Sequence, residues 1–105
     1  VFSVEHPIFT AYGSQDWYYD EKGDILHFPV DNYFLEGKRN TNFLGEEVLK
    51  YHKTLTTYLN GLIKGGFELT GIVEPQPSEY LLDTVSGMRN ELRRPMMLII
   101  SATKK

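Results

Sequence analysis

Apolar and polar residues alternate from Phe2 to Glu5 and stop at His6-Pro7, where proline lacks an N–H and restrains the residue before it. A short strand running into a loop is predicted there. Trp17-Tyr18-Tyr19 and Ile25-Leu26-His27-Phe28 flank Asp20-Glu21-Lys22-Gly23-Asp24, a polar turn in which Gly23 can take positive φ. This pattern predicts a hairpin, followed by a third strand over Tyr33 to Glu36. After Thr54 the period changes: Leu55, Tyr58, Leu59, Leu62 and Ile63 fall at i, i+3, i+4, i+7 and i+8, one face of a helix expected to be core. Thr54 suits the N-cap, and Gly65-Gly66 a C-terminal stop. Phe67 to Glu74 reads as a strand with Phe67, Leu69, Gly71 and Val73 on one face, ended by Pro75 and Pro77. Ser78 to Leu92 has partial helical spacing interrupted by Gly87, which one broken helix or two short ones would satisfy. Met96 to Ala102 is nearly continuous in apolar residues, the pattern of a strand inside a sheet and covered on both faces.

The order strand, long insertion, helix, strand, connection, buried strand suits an α/β layer with one crossover. A helix that returns from a strand's carboxyl end starts at that same end. His6, just past the first strand, and His52, two residues before Thr54, are therefore expected on one rim of the sheet, the rim where open α/β sheets bind ligands. The insertion between them must fold over that rim. Most of the aromatic residues lie at or before Tyr58, so the insertion is either a pocket wall or a flap with its own packing.

Composition narrows the function. The chain has 105 residues, 41% of them hydrophobic and 24% charged, with a formal charge of −3, which describes an ordinary globular piece of one domain at most. The basic residues form no cluster larger than pairs such as Arg93-Arg94 and Lys104-Lys105, too little for a duplex nucleic acid footprint or an anionic membrane. The absence of cysteine removes disulfides, thiolate zinc sites and cysteine nucleophiles, and cytoplasm is the default expectation. No apolar run approaches the roughly 20 residues of a membrane helix. The opening VFSVE reads as a strand already under way, so the chain is expected to be a portion of something longer.

Five stretches carry a resemblance: SVEHP at Ser3 to Pro7, NYFLEGKR at Asn32 to Arg39, YHKTLTTYLNGLIKGGFEL at Tyr51 to Leu69, VEPQP at Val73 to Pro77, and ELRRPMMLIISATK at Glu91 to Lys104. In this order and spacing they resemble the C-terminal part of class I S-adenosylmethionine-dependent methyltransferases of the bacterial small-molecule type. The resemblance implies a Rossmann-like sheet of seven strands, of which this chain would hold the last three. The final, Met96 strand would lie antiparallel between the other two. It also implies a cofactor, S-adenosylmethionine, held by a Gly-rich loop and an acidic residue that this chain lacks. Residues 11–53 would be an aromatic hairpin flap over the active site, and 54–105 the helix and last two strands. The piece alone is expected to bind the cofactor poorly and to transfer no methyl group.

Methyl transfer asks the protein to position the acceptor, exclude water and, for an oxygen or nitrogen nucleophile, remove a proton, a task for histidine near neutral pH. His6 and His52 are the candidate catalytic residues under that resemblance, each weighed against a loop or helix-entry role. Trp17, Tyr18, Tyr33 and Phe34 could wall the substrate or close the flap's own core, and Arg39 could fork onto an anionic group or remain exposed. His27 reads as structural, and Glu46-Glu47 as solvated surface. His6, His27 and His52, with Glu5, Asp16 or Asp20, match no compact zinc spacing, and no serine sits in a G-x-S-x-G elbow. The expected acceptor is a small molecule, not nucleic acid or membrane, and self-association through a bared edge of the first strand is expected. The alternative is a small α+β ligand-binding module without catalysis, and a third reading is a structural fragment that assembles through that edge.

Overall fold

A computed structural model describes residues 1–43 and 45–105, with the side chains of residues 42 and 43, including the aromatic ring at 43, outside the description. In chain order the elements are β1 (Phe2–Glu5), α1 (Pro7–Thr10), β2 (Tyr18–Tyr19), β3 (Ile25–His27), β4 (Gly37–Phe43), β5 (Glu46–His52), α2 (Leu55–Lys64), β6 (Phe67–Val73), α3 (Glu79–Thr84), a 3-10 helix over Met88–Leu92, and β7 (Met97–Lys104). The main sheet has the order β1-β7-β6, with β7 antiparallel to both neighbours. β1 and β6 are thus parallel to each other, and both end on the same rim.

The interior position expected for the Met96 run holds. Leu98 and Ile100 of β7 are 1% and 0% exposed, pair with Val4 and Phe2 of β1, and form the core with Phe9 and Ala11. The opposite face, with Met97 and Ile99, is only half-buried, so β7 is sealed on one side rather than two. The alternation read along β6 also changes midway. Leu69 faces Ala102 but Gly71 faces Ser101, leaving Thr70 as an extra residue that moves Ile72, not Gly71, onto the face of Leu69. The Thr70 and Ser101 hydroxyls meet at 2.6 Å beside this bulge.

The insertion departs further from expectation. His6 does not begin a plain loop: it caps α1, with Pro7 at the first helical position where the missing N–H costs nothing. The hairpin β2–β3 forms, and Gly23 takes φ 86° in its turn. Tyr33 to Glu36 is not a strand; it is the turn and extended entry to a second ribbon, β4–β5, paired from Gly37↔His52 to Phe43↔Glu46. β4 reads GKRNTNF, and so polar a strand leaves no apolar alternation to detect.

α2 begins at Thr54, whose hydroxyl accepts the Thr57 N–H at 3.2 Å, and ends at Gly65-Gly66 as expected. Its apolar stripe, however, is not core: none of its residues is buried, and Ile63 is 54% exposed. The reason is geometric. α2 packs against β6, an outer strand of a three-stranded sheet, which is too narrow to cover the stripe. Ser78 to Leu92 forms two short helical pieces, with Gly87 at φ 82° between them.

The whole is open rather than compact. Its radius of gyration is 15.8 Å, against roughly 13 Å for a compact chain of about 100 residues. Its accessible surface is 7398 Å², while a folded monomer of 12.1 kDa exposes about 6,000 Å². The excess of about 1,400 Å² exceeds one side of an ordinary protein interface, about 800 Å². No helix among the described residues is long and apolar enough to cross a membrane.

Candidate functional site

The two histidines flank α1 at the rim where β1 and β6 end. The His6 amide continues the sheet by donating to the Met96 carbonyl at 2.9 Å. Its Nδ1 accepts the Ile8 N–H at 3.1 Å, so the ring's proton is assigned to Nε2, which faces Glu74 Oε2 at the end of β6. His6 is 3% exposed, whereas the Glu74 side chain is 57% exposed, so the pair meets solvent through its carboxylate.

His52 closes β5 and is fully buried. Its Nε2 faces the Tyr33 carbonyl at 2.7 Å, an acceptor only, so Nε2–H donates and Nδ1 accepts from the Thr10 hydroxyl at 2.7 Å. Both nitrogens are thus occupied by the protein's own groups. The Tyr33 hydroxyl in turn accepts the Leu55 N–H at 3.1 Å, and Glu36 Oε2 accepts the Thr54 N–H at 2.8 Å. The Glu36 carboxyl is held below its ordinary value near 4.5 by the Thr57 hydroxyl, then by the Thr54 amide. Burial first, then Glu5 and Glu36, pushes the Tyr58 phenol up. His52, Tyr33 and Glu36 therefore dock the turn before β4 onto α1 and the start of α2.

Arg39 finishes the docking. Its Nε donates to the Ala11 carbonyl at 2.7 Å, and its Nη groups donate to the carbonyls of Asn32, Leu35 and Lys38. A guanidinium occupied by four backbone oxygens has little left to offer an anion. Around it, Phe34 and Leu35 stand 86% and 64% exposed.

Trp17 packs beside α1, edge-on to Phe28 with ring centroids 5.4 Å apart, and Phe28 stacks on Phe9 of α1. The Arg94 guanidinium carbon sits 4.8 to 5.1 Å from the centroids of all three rings, and Arg93 covers Trp17 at 5.1 Å. Tyr18 is 56% exposed and stacks on His27. Thus His6, His52 and Tyr33 are brought into one framework, while Trp17 and Tyr18 belong to the first hairpin. His27 is apart from the other histidines, and among the described residues no group of three or more His, Asp or Glu could hold a metal ion.

Glu74, Glu91 and Arg94 were not singled out by the sequence reading. They line a cleft of about 420 Å³ with Ile8, Gln76 and Arg93, on the same rim. The sequence signal available was the Glu-Pro at a strand end, which marks the ligand rim of an α/β sheet. A second hollow of about 700 Å³, lined by Ser14, Gln15, Asp16, Asn40, Thr41 and Glu47, is polar, and Lys50 ties its Gln15 to Glu5, the residue before His6.

The residues present do not fit S-adenosylmethionine. Such a group needs backbone N–H donors freed by glycine at a strand-to-helix turn. Neither turn that leads a strand directly into a helix carries a glycine: β1 to α1 is His6-Pro7, whose Ile8 N–H is taken by the His6 ring, and β5 to α2 is Lys53-Thr54, where the Thr54, Leu55 and Thr57 amides are taken by Glu36, the Tyr33 hydroxyl and the Thr54 hydroxyl. The positive-φ glycines, 13, 23, 37, 45, 66 and 87, all lie at other places.

A candidate S-adenosylmethionine-dependent methyltransferase from Listeria monocytogenes superposes on 99% of the chain with a TM-score of 0.91 and 57% identity. An S-adenosylmethionine-dependent methyltransferase from Mesorhizobium loti does so over 96% with a TM-score of 0.81 and 39% identity. The chain resembles the C-terminal portion of class I S-adenosylmethionine-dependent methyltransferases. It spans 46% of each of those two chains. A Haemophilus influenzae protein of uncharacterized function is 32% identical over 99% of this chain, which covers 41% of that relative. No protein-family model matches the sequence. The α/β fold with antiparallel pairing is shared with these methyltransferase neighbours.

Proposed function

We propose that this chain is the acceptor-side part of an S-adenosylmethionine-dependent methyltransferase acting on a small molecule, the donor being held by a further part of the same protein. The observation that carries the reading is the placement of β7, antiparallel between the parallel β1 and β6, in a fold that superposes on methyltransferases over nearly its whole length. In this reading β1, β6 and β7 are the fifth, sixth and seventh strands of the parent sheet. The surface excess and the bared stripe of α2 are faces that the rest of that sheet covers.

Residues 11–53 act as the flap, with β2–β3 and β4–β5 as its two ribbons. His52 and Tyr33 hold it in place rather than touch the acceptor, since both nitrogens of His52 are used internally. Arg39 has the same holding role. His6 positions Glu74, and Glu74 is the group that meets the acceptor and can take its proton. Trp17 is the flap's packing centre, and exposed Tyr18 is left as its aromatic contact to substrate.

The test is to incubate the full-length gene product with methyl-labelled donor and a small-molecule extract, and to follow label into products by mass spectrometry. Enzyme-dependent labelling of a small molecule that falls at least tenfold in Glu74→Gln supports the reading. Donor that is never consumed, or label appearing only in macromolecules, overturns it.

A further inference from the structure

The rim cleft holds a group that the flap's packing leaves incomplete. The Arg94 side chain is 9% exposed and enclosed by the rings of Phe9, Trp17 and Phe28. Its Nη1 donates to Glu91 Oε2 at 2.9 Å, while Nε is buried with no partner. Leaving a buried donor unmade is costly, more so on a charged group. Nε and Nη2 form one edge of the guanidinium, the geometry that receives a carboxylate through two parallel bonds.

The cleft's other charges restrict what could bring that carboxylate. Arg93 and Arg94 are balanced by Glu74 and Glu91, so the lining is formally neutral, and a bare anion would meet two carboxylates. Arg93 is already used, donating to the Leu26 carbonyl at 2.8 Å and to Asn90. Glu74 gives one oxygen to His6 and is 57% exposed, which leaves its other oxygen for a cation. Beyond Pro75, Gln76 and Glu91 the cleft shares its wall with a hollow of about 270 Å³ lined by Leu81, Met88, Met96 and Met97. Methionines make an adaptable apolar wall. Cleft and hollow together have the size of a small-molecule site.

We infer that this cleft binds a zwitterionic amino acid with an apolar side chain: its carboxylate on the Nε/Nη2 edge of Arg94, its amino group on Glu74, its side chain toward Met88, Met96 and Met97. This deepens the proposed function by naming the acceptor class, and rests on that reading only for the word acceptor. The binding claim stands apart from it.

Calorimetry on the full-length gene product with L-phenylalanine, 3-phenylpropionate and phenethylamine separates the two charges. Phenylalanine is expected to bind saturably and at least tenfold more tightly than either single-charge analogue. Arg94→Lys keeps the charge but loses the forked edge, and should weaken phenylalanine and phenylpropionate at least tenfold without changing phenethylamine. Glu74→Gln should weaken phenylalanine and phenethylamine without changing phenylpropionate. Equal affinity for all three, no saturable binding, or loss of all three in both variants while circular dichroism stays native overturns the inference. Labelled methyl appearing on an unrelated molecule, with no phenylalanine binding, sinks this inference and leaves the methyltransferase reading standing; amino acid binding without any methyl transfer does the reverse.

Discussion

Removing the His52 imidazole tests whether the second histidine holds the fold or performs chemistry. His52→Ala deletes a fully buried ring that accepts from Thr10 and donates to the Tyr33 carbonyl, both at 2.7 Å. Each stranded partner costs about 1–3 kcal/mol. The Thr10 hydroxyl sits at the low end of that range because the Pro7 carbonyl, 3.4 Å away, remains available to it. With the cavity left by the ring, the total is about 3–5 kcal/mol. At the length of a protein of about 150–250 residues, where 1 kcal/mol moves the melting temperature by about 2–4 °C, the drop is roughly 10 °C. His52→Gln keeps a donor near the Tyr33 carbonyl and loses only the Thr10 bond, so it should cost about 1–2 kcal/mol. Thermal unfolding of the full-length gene product by circular dichroism reads both, and donor-dependent turnover per folded molecule reads the chemistry. The expected result is a graded loss of stability, Ala below Gln below wild type, with turnover per folded molecule within about threefold of wild type for Gln. A Gln variant that melts like wild type yet loses a hundredfold in turnover would refute the structural assignment.

Three further outcomes follow from the same contacts. The Glu36 carboxyl titrates below its ordinary value near 4.5, so the stability it contributes is present above that value and lost as pH falls through its lowered one. Glu36→Gln should therefore flatten the loss of stability below pH 4.5 seen in acid denaturation, and an unchanged slope counts against the Thr54 and Thr57 contacts. Arg93→Ala removes the cation above Trp17 and the bond to the Leu26 carbonyl, costing about 1 kcal/mol and shifting the emission of the chain's single tryptophan to the red; an unchanged spectrum counts against that docking. β1 is paired only with β7 among the described residues, so the isolated chain should self-associate through its open edge, and sedimentation showing a concentration-independent monomer removes that expectation.

Features with a local physical cause were legible in the sequence. Thr54 caps α2 through its own hydroxyl, Gly87 breaks the last helical stretch through a positive φ, and the apolar run of β7 marks a central strand. The shared rim of His6 and His52 also follows from chain order alone. What escaped depended on distant partners or on ambiguous signals. Pro7 reads equally as the end of a strand and as the first residue of a helix, and only the His6 ring bonding the Ile8 amide decides between them. The polar β4 shows no apolar alternation because the residues on its more buried face, Arg39 and Thr41, are polar and are satisfied by the carbonyls of Ala11 and Ser14. The bulge at Thr70 is set by pairing with Ser101, 31 residues away. The stripe of α2 is apolar as its spacing predicts, but none of it is buried, because it packs mainly against β6, an outer strand of a three-stranded sheet. Arg94 carries no pattern of its own in sequence; its role appears only when Phe9, Trp17 and Phe28 close around it.

Titration of S-adenosylmethionine into this chain and, in parallel, into the full-length gene product tests the central claim most directly. Micromolar binding is expected for the full-length protein and none measurable for residues 1–105, because neither the β1–α1 turn nor the β5–α2 turn offers a free amide cradle. Micromolar binding by the 105-residue chain alone, or none by the full-length protein, would contradict it.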